Sequence, residues 1–191
     1  MIGKRELILE AALKQFAEVG YNKATMQSIA KRAGVGKGTT YEYFPSKEAL
    51  FMEVISSRLN EILNMFKAQI QSPGPVREKI ERLYAKYAEL YDTETDLKKI
   101  LSNDLGHIPK QYHDYFKKKH IELIEAIATV IHKGIEDGEI GRVDSNLAAT
   151  VITASMSTLA VYAETSSDDV SATIPAILDI LFHGLAANRE S

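Results

Sequence analysis

Thr25-Met26-Gln27-Ser28-Ile29-Ala30-Lys31-Arg32-Ala33-Gly34-Val35-Gly36-Lys37-Gly38-Thr39-Thr40-Tyr41-Glu42-Tyr43-Phe44 is the stretch that decides the fold. Thr25 offers a side-chain acceptor at the head of a helix over Met26 to Ala33, and Gly34 supplies the left-handed residue that closes it. A third helix spans Lys37 to Phe44, stopped by Pro45. Both are too short to persist in water alone, so each needs a packing partner. The first helix, Arg5 to Val19, provides one: Ile8, Ala12, Phe16 and Val19 lie along one face, and Gly20 ends it. Two short helices joined by Gly34-Val35-Gly36 have the turn length and glycine content of a helix-turn-helix. Packing Ile29, Ala30, Ala33 and Val35 against the first helix leaves Lys37, Thr39, Tyr41, Glu42 and Tyr43 at or near the outside. One cation, one hydroxyl and two phenols suit phosphates and groove edges. Glu42 can accept from a cytosine amino group or repel phosphate. Phe44, with no polar atom, is assigned to packing.

Charge supports this placement. The chain of 191 residues carries a net −3, but residues 1–50 hold eight Lys/Arg and five Asp/Glu, a net +3, while residues 51–191 hold a net −6. A basic head on an acidic body presents only the head to phosphates. With 45% hydrophobic and 26% charged residues the chain has the composition of a soluble globular protein. The absence of cysteine excludes disulfides, thiolate metal sites and a cysteine nucleophile. Lys4, Arg5, Glu6 and Glu10 break up the N-terminus, so no export signal is read there and a cytoplasmic protein is expected. The uncharged run Ser145 to Ala163 carries too many Ser, Thr and Asn residues for a bilayer span of ~20 apolar residues and is read as a buried helix, so no membrane partner is expected.

Further along, apolar residues recur at three- and four-residue spacing without sustained alternation, which predicts an all-α protein of about nine helices. Ser46 caps a long fourth helix whose inner face is Leu50, Val54, Ile62, Phe66 and Ile70. Ser72-Pro73-Gly74-Pro75 breaks it, and a fifth helix follows over Val76 to Tyr91. A short sixth spans roughly Asp96 to Leu105. The seventh runs from about Lys110 to Asp137, closed by Gly138, and Asp144 caps an eighth that reaches about Glu164. Pro175 is harmless only in a first turn, so an unkinked ninth helix starts near Ser171 or later. The head is placed at residues 1–47 and the body at 48–191.

The pattern Thr25, Ile29-Ala30, Ala33-Gly34-Val35, Gly38, Tyr41, Tyr43-Phe44, Ser46-Lys47-Glu48 and Leu50 resembles the signature of the tetracycline-repressor (TetR) family of transcription regulators. More than a dozen positions agree in type and spacing over 26 residues. The resemblance implies that Thr25 and Lys47 meet phosphates and that Thr39, Tyr41 and Tyr43 meet backbone and groove, with Gly38 permitting close approach to double-stranded DNA. Lys37 and Glu42 sit where such proteins differ. Position 36, often serine in the family, is Gly36, and position 40, commonly apolar, is Thr40. The resemblance also implies a homodimer through helices eight and nine on a palindromic operator, and a body cavity for a small hydrophobic or aromatic effector. Candidate lining residues are Met65, Phe66, Tyr84, Tyr87, Tyr91, Leu101, Leu105, Tyr112 and Phe116, although for any one of them an aromatic or apolar side chain at helical spacing is more often core than cavity lining. The function so implied is a dimeric repressor released from its operator by a small molecule. The alternative is an architectural or division-control protein of the same fold without a small ligand.

No cofactor or metal is expected. His113 and His120 fall about two turns apart on a helix, ~10 Å, too far for one ion without help, and His107 is read as ordinary. No nucleophile elbow, phosphate loop or zinc-protease motif occurs, so an enzyme is not expected.

Overall fold

A computed structural model describes residues 3–104, 113–166 and 170–184, apart from the side chains of 101–104, 113, 157, 160, 161, 163, 164 and 166. The described residues form nine helices and no strand: α1 (Lys4–Lys23), α2 (Met26–Ala33), α3 (Lys37–Tyr43), α4 (Lys47–Gln71), α5 (Val76–Thr93), α6 (Thr95–Asp104), α7 (His113–Glu136), α8 (Ser145–Ser166) and α9 (Val170–His183). The local signals act where the sequence places them. Gly20 breaks α1 at φ 79°, ψ 161°, leaving one short turn beyond it. Gly34 closes α2 at φ 68°, ψ 26°. Ser46 Oγ accepts the Ala49 N–H at 3.0 Å. The Asp144 carboxylate accepts from Asn146 and Leu147 N–H at 2.9 and 3.0 Å. Two ends differ. α3 stops at Tyr43, with Phe44 in extended backbone. α9 begins at Val170, so Pro175 lies inside it, just past the first turn.

By packing, the chain divides into two units, one from Met1–Ile62 and Glu94–Phe116, the other from Leu63–Thr93 and Lys117–Ser191. In the first, Ile8, Ala12 and Phe16 of α1 meet Ile29 of α2, Phe44, and Leu50, Phe51 and Ile55 of α4, with Ile100 of α6 in the same cluster. Phe16 and Phe51 stand edge to face at 5.0 Å between centroids, and Tyr21 leans on Phe51 at 4.7 Å. Aromatic pairs in these arrangements add to the area term. A bridge network crosses the unit: the Arg58 guanidinium lies 2.8 Å from Glu61 and 3.6 Å from Glu10.

In the second unit, Ile80, Leu83 and Tyr84 of α5, Ile127 and Ile131 of α7, Ile152 and Met156 of α8, and Ile174 and Leu178 of α9 are all buried, and α5 packs on both α8 and α9. The buried Tyr84 hydroxyl donates to the Ile152 carbonyl at 3.1 Å and also meets Ser155 Oγ, tying α5 to α8. Gly134 lets α7 come close to the start of α5: a Cβ there would lie 2.5 Å from Val76 Cγ2. The Val76 N–H donates to the Glu139 carboxylate at 2.7 Å, which serves an otherwise unpartnered amide at the head of α5.

Candidate nucleic-acid interface

Thr25 starts α2 in extended backbone, and its Oγ1 accepts the Ser28 N–H at 3.0 Å. Ser28 reciprocates: its Oγ accepts the Thr25 N–H at 3.2 Å and lies 2.9 Å from the Thr25 carbonyl. The Thr25 cap is legible in the sequence, whereas its reciprocal partner is less so, because Ser28 stands where a capping box ordinarily carries Glu or Gln. At the other end, Gly34 N–H reaches the Lys31 carbonyl at 3.2 Å and Val35 N–H the Ala30 carbonyl at 3.0 Å. This left-handed stop turns the chain tightly into α3.

Gly36 precedes α3 in extended backbone without a side-chain cap, as its lack of a hydroxyl dictates. Thr40 is fully buried, and its Oγ1 donates to the Gly36 carbonyl at 3.4 Å, so a polar residue occupies a packing position by bonding within its own helix. Phe44 is buried in the core, as expected. With Thr40 and Phe44 inward, Lys37, Gly38, Glu42, Tyr41 and Tyr43 are exposed, the two tyrosines each at 45%, and Thr39 is half-buried. The Lys37 ammonium lies 5.9 Å from the centre of the Tyr41 ring. Behind α2, Arg32 pairs with both oxygens of Glu18, one at 2.8 Å, and this hydrogen-bonded pairing holds the Glu18 carboxyl below its usual range.

Lys47, half-buried at the start of α4, points elsewhere. Its Nζ donates to the carbonyls of Tyr21 at 2.7 Å, Ala24 at 3.1 Å and Asn22 at 3.4 Å, and sits 4.3 Å from the Tyr21 ring centre. Burial, then the neighbouring Glu48 carboxylate, pushes the Tyr21 phenol up from its ordinary pKa.

Of the candidate effector residues, Phe66 and Tyr87 stand 6.5 Å apart and Tyr87 and Tyr91 6.3 Å apart, forming a short ladder of rings. Met65, Tyr87 and Tyr91 are half-buried. Burial raises the Tyr87 phenol pKa. Tyr84 is wholly buried in the core. Phe116 packs against the core of the first unit, with Tyr115 edge-on at 5.6 Å. The Leu101 side chain, Leu105 and Tyr112 lie outside the described residues, as do His107 and the His113 side chain. His120 is exposed. Two apolar grooves lie on the second unit, one of about 460 Å³ bordered by Val143, Leu147, Val151 and Phe182, the other of about 590 Å³ between Tyr162 of α8 and Ile180 of α9. Among the described residues, none of the candidate effector residues lines either groove.

Residues 8–54 match the profile of the bacterial regulatory proteins, tetR family, and residues 73–161 that of the tetracyclin repressor-like C-terminal domain. The chain belongs to the TetR family. It is 32% identical over 151 residues to YhgD, an HTH-type transcriptional regulator of Bacillus subtilis, covering 79% of each chain. It is 26% identical over 136 residues to the fatty acid metabolism regulator protein of the same organism, covering 70% of this chain and 69% of that one. The crystal structure of FadR from Bacillus subtilis in complex with stearoyl-CoA superposes with a TM-score of 0.78 at 22% identity, over 95% of this chain and 99% of that one, which shows a shared fold. As a TetR-family protein this chain is a DNA-binding transcription regulator, and α2, its turn and α3 are its helix-turn-helix. No helix among the described residues is long and apolar enough to cross a membrane.

Proposed function

We propose that this TetR-family regulator is a homodimeric repressor that reads a palindromic operator with α3 and leaves it when an effector with a long apolar part binds the body. The observation that carries the reading is the division of α3, with Thr40 and Phe44 buried and Lys37, Tyr41, Glu42 and Tyr43 presented outward. Gly38, Thr39 and the head of α2 at Thr25 complete the proposed contact set. A helix start carries partial positive charge and free N–H groups, which suits a phosphate. Support for a second subunit comes from Leu147, Val151 and Tyr162 on α8 and Ile180 on α9, large apolar side chains exposed on the single chain.

For the effector, support comes from the ring ladder of Phe66, Tyr87 and Tyr91 and from two likenesses, to a fatty acid metabolism regulator and to a FadR holding stearoyl-CoA. A long-chain acyl thioester is therefore the class proposed. α4 runs unbroken from Lys47 to Gln71 and carries Phe66, and a shift of this helix is the proposed response to the effector. A mobility-shift assay on the DNA upstream of the gene tests the scheme. The shift is expected to disappear with stearoyl-CoA and to survive coenzyme A alone. A shift that resists every acyl thioester tried would remove this effector class, and no shift at all would remove the self-regulating operator.

A further inference from the structure

Granted that α3 and the start of α2 meet DNA as proposed above, we propose that Lys47 is a positioning residue for the interface, a clasp that fixes the corner leading into α2, rather than a ligand to the phosphate backbone. An ammonium has three hydrogens to donate. Here three carbonyls converge on it, those of Tyr21, Asn22 and Ala24, with the face of the Tyr21 ring as a further neighbour at 4.3 Å. These carbonyls belong to the corner made when Gly20 breaks α1 at positive φ. The residue after Ala24 is Thr25, whose N–H and hydroxyl open α2. Ala24 itself is buried, so the corner is anchored on one side by packing and on the other by Lys47.

A phosphate that recruited this ammonium would have to displace one of three carbonyls, held at 2.7, 3.1 and 3.4 Å, in a half-buried place. Charge-assisted bonds of this kind are among the stronger ones in a protein, and a carbonyl that loses its donor away from water is penalised. The clasp therefore acts on DNA through Thr25: it sets the angle and depth at which the first N–H groups of α2 face the duplex. Its charge remains behind that helix start and adds to the positive field there without a direct contact.

Arginine separates the two roles. A phosphate ligand tolerates Lys47→Arg, because a guanidinium keeps the charge and grips phosphate at least as well. A clasp does not, because a planar fork cannot direct its hydrogens at three carbonyls gathered around one point. The test uses the full-length chain and a duplex carrying the site that the wild-type protein selects from random DNA. Wild type, Lys47→Arg and Lys47→Met are titrated over a salt series at a temperature where circular dichroism shows all three folded. Both variants are expected to bind on the order of tenfold more weakly than wild type. The slope of log affinity against log salt for Lys47→Arg should match that of wild type, and the amide signals of Met26 to Ser28 should shift in both free variants. Wild-type affinity for Lys47→Arg, with a slope lower by about one for Lys47→Met, would make Lys47 a phosphate ligand and overturn the clasp. Lower melting temperatures with unchanged affinity would reduce it to a fold-stabilising contact and overturn it equally. A wild-type chain that selects no site would remove the operator reading and the clasp with it, an outcome distinct from either of these.

Discussion

Gly38 and Tyr84 show how single residues separate binding from folding. A Cβ built on Gly38 meets nothing within 4 Å, and the residue sits in the first turn of α3. Gly38→Ala should therefore raise the urea midpoint, by up to about 1 kcal/mol of helix propensity. If the duplex approaches the backbone there, the same methyl group lowers operator affinity on the order of tenfold while stability rises. Undiminished affinity would show that DNA does not come close to α3 at this point. Tyr84 is the opposite case. Its hydroxyl ties α5 to the Ile152 carbonyl in the core, and burial raises its pKa. Tyr84→Phe keeps the ring and removes the tie, at a cost of about 1 kcal/mol in denaturant unfolding. Operator affinity and its response to effector should be unchanged, because the hydroxyl is directed at α8. A lost effector response would return Tyr84 to the ligand set.

At the scale of the element, the ends of the helices were legible because their causes are local. Thr25, Gly34, Ser46, Gly138 and Asp144 each act within about one turn, and each stands where its type and position indicate. The faces were less legible. Tyr84, Tyr87 and Tyr91 recur at helical spacing, and that period is the same whether a ring packs in a core or borders a cavity; only the fold distinguishes the buried Tyr84 from its half-buried neighbours. Ile100 of α6 in the core with Ile8 and Phe16 has no local signal, since it depends on chain brought back from far along the sequence. Lys47 was legible as a cation beside the helix-turn-helix but not in its direction, because its long flexible stem permits several. α3 offers a prediction at this scale. Gly36 precedes it as the N-cap residue with no side-chain cap, at φ −68°, ψ 148°, a conformation any residue adopts, and a Cβ there would approach nothing nearer than Thr39 Oγ1 at 3.9 Å. Gly36→Ser should stabilise the protein by a few tenths of a kcal/mol, because glycine already caps tolerably. The urea midpoint checks this, and a lower midpoint would mean that the new hydroxyl does not reach the Thr39 amide.

For the whole molecule, the question is how an interface as small as α3 holds an operator. One such helix reaches few bases and a handful of phosphates, and the acidic remainder of the chain adds nothing to that attraction. A second copy changes the arithmetic. Once one head is bound, the other binds intramolecularly, and affinity rises by about 10² to 10⁴ without any new contact. The surface that joins two copies must then be apolar and free on the single chain. Leu147 at 63% exposure and Tyr162 at 56% on α8, with Ile180 on α9, meet that requirement, and the α8 stretch Ser145 to Ala163 has no charge to repel its copy. Ile180→Asp places a carboxylate on this surface, in the groove it shares with Tyr162, where pairing two copies would strip its water. Because Ile180 is exposed within one chain, the helix content of the variant should match wild type by circular dichroism. Sedimentation should show a monomer at micromolar concentration, where the proposed subunit contact makes wild type a dimer, and operator affinity should fall by the same 10² to 10⁴. The slope of log affinity against log salt should fall to about half, because one head rather than two displaces counterions. A variant that stays dimeric and keeps its slope would place the subunit contact elsewhere than on α8 and α9. One that becomes monomeric yet binds the operator as before would show that a single head suffices.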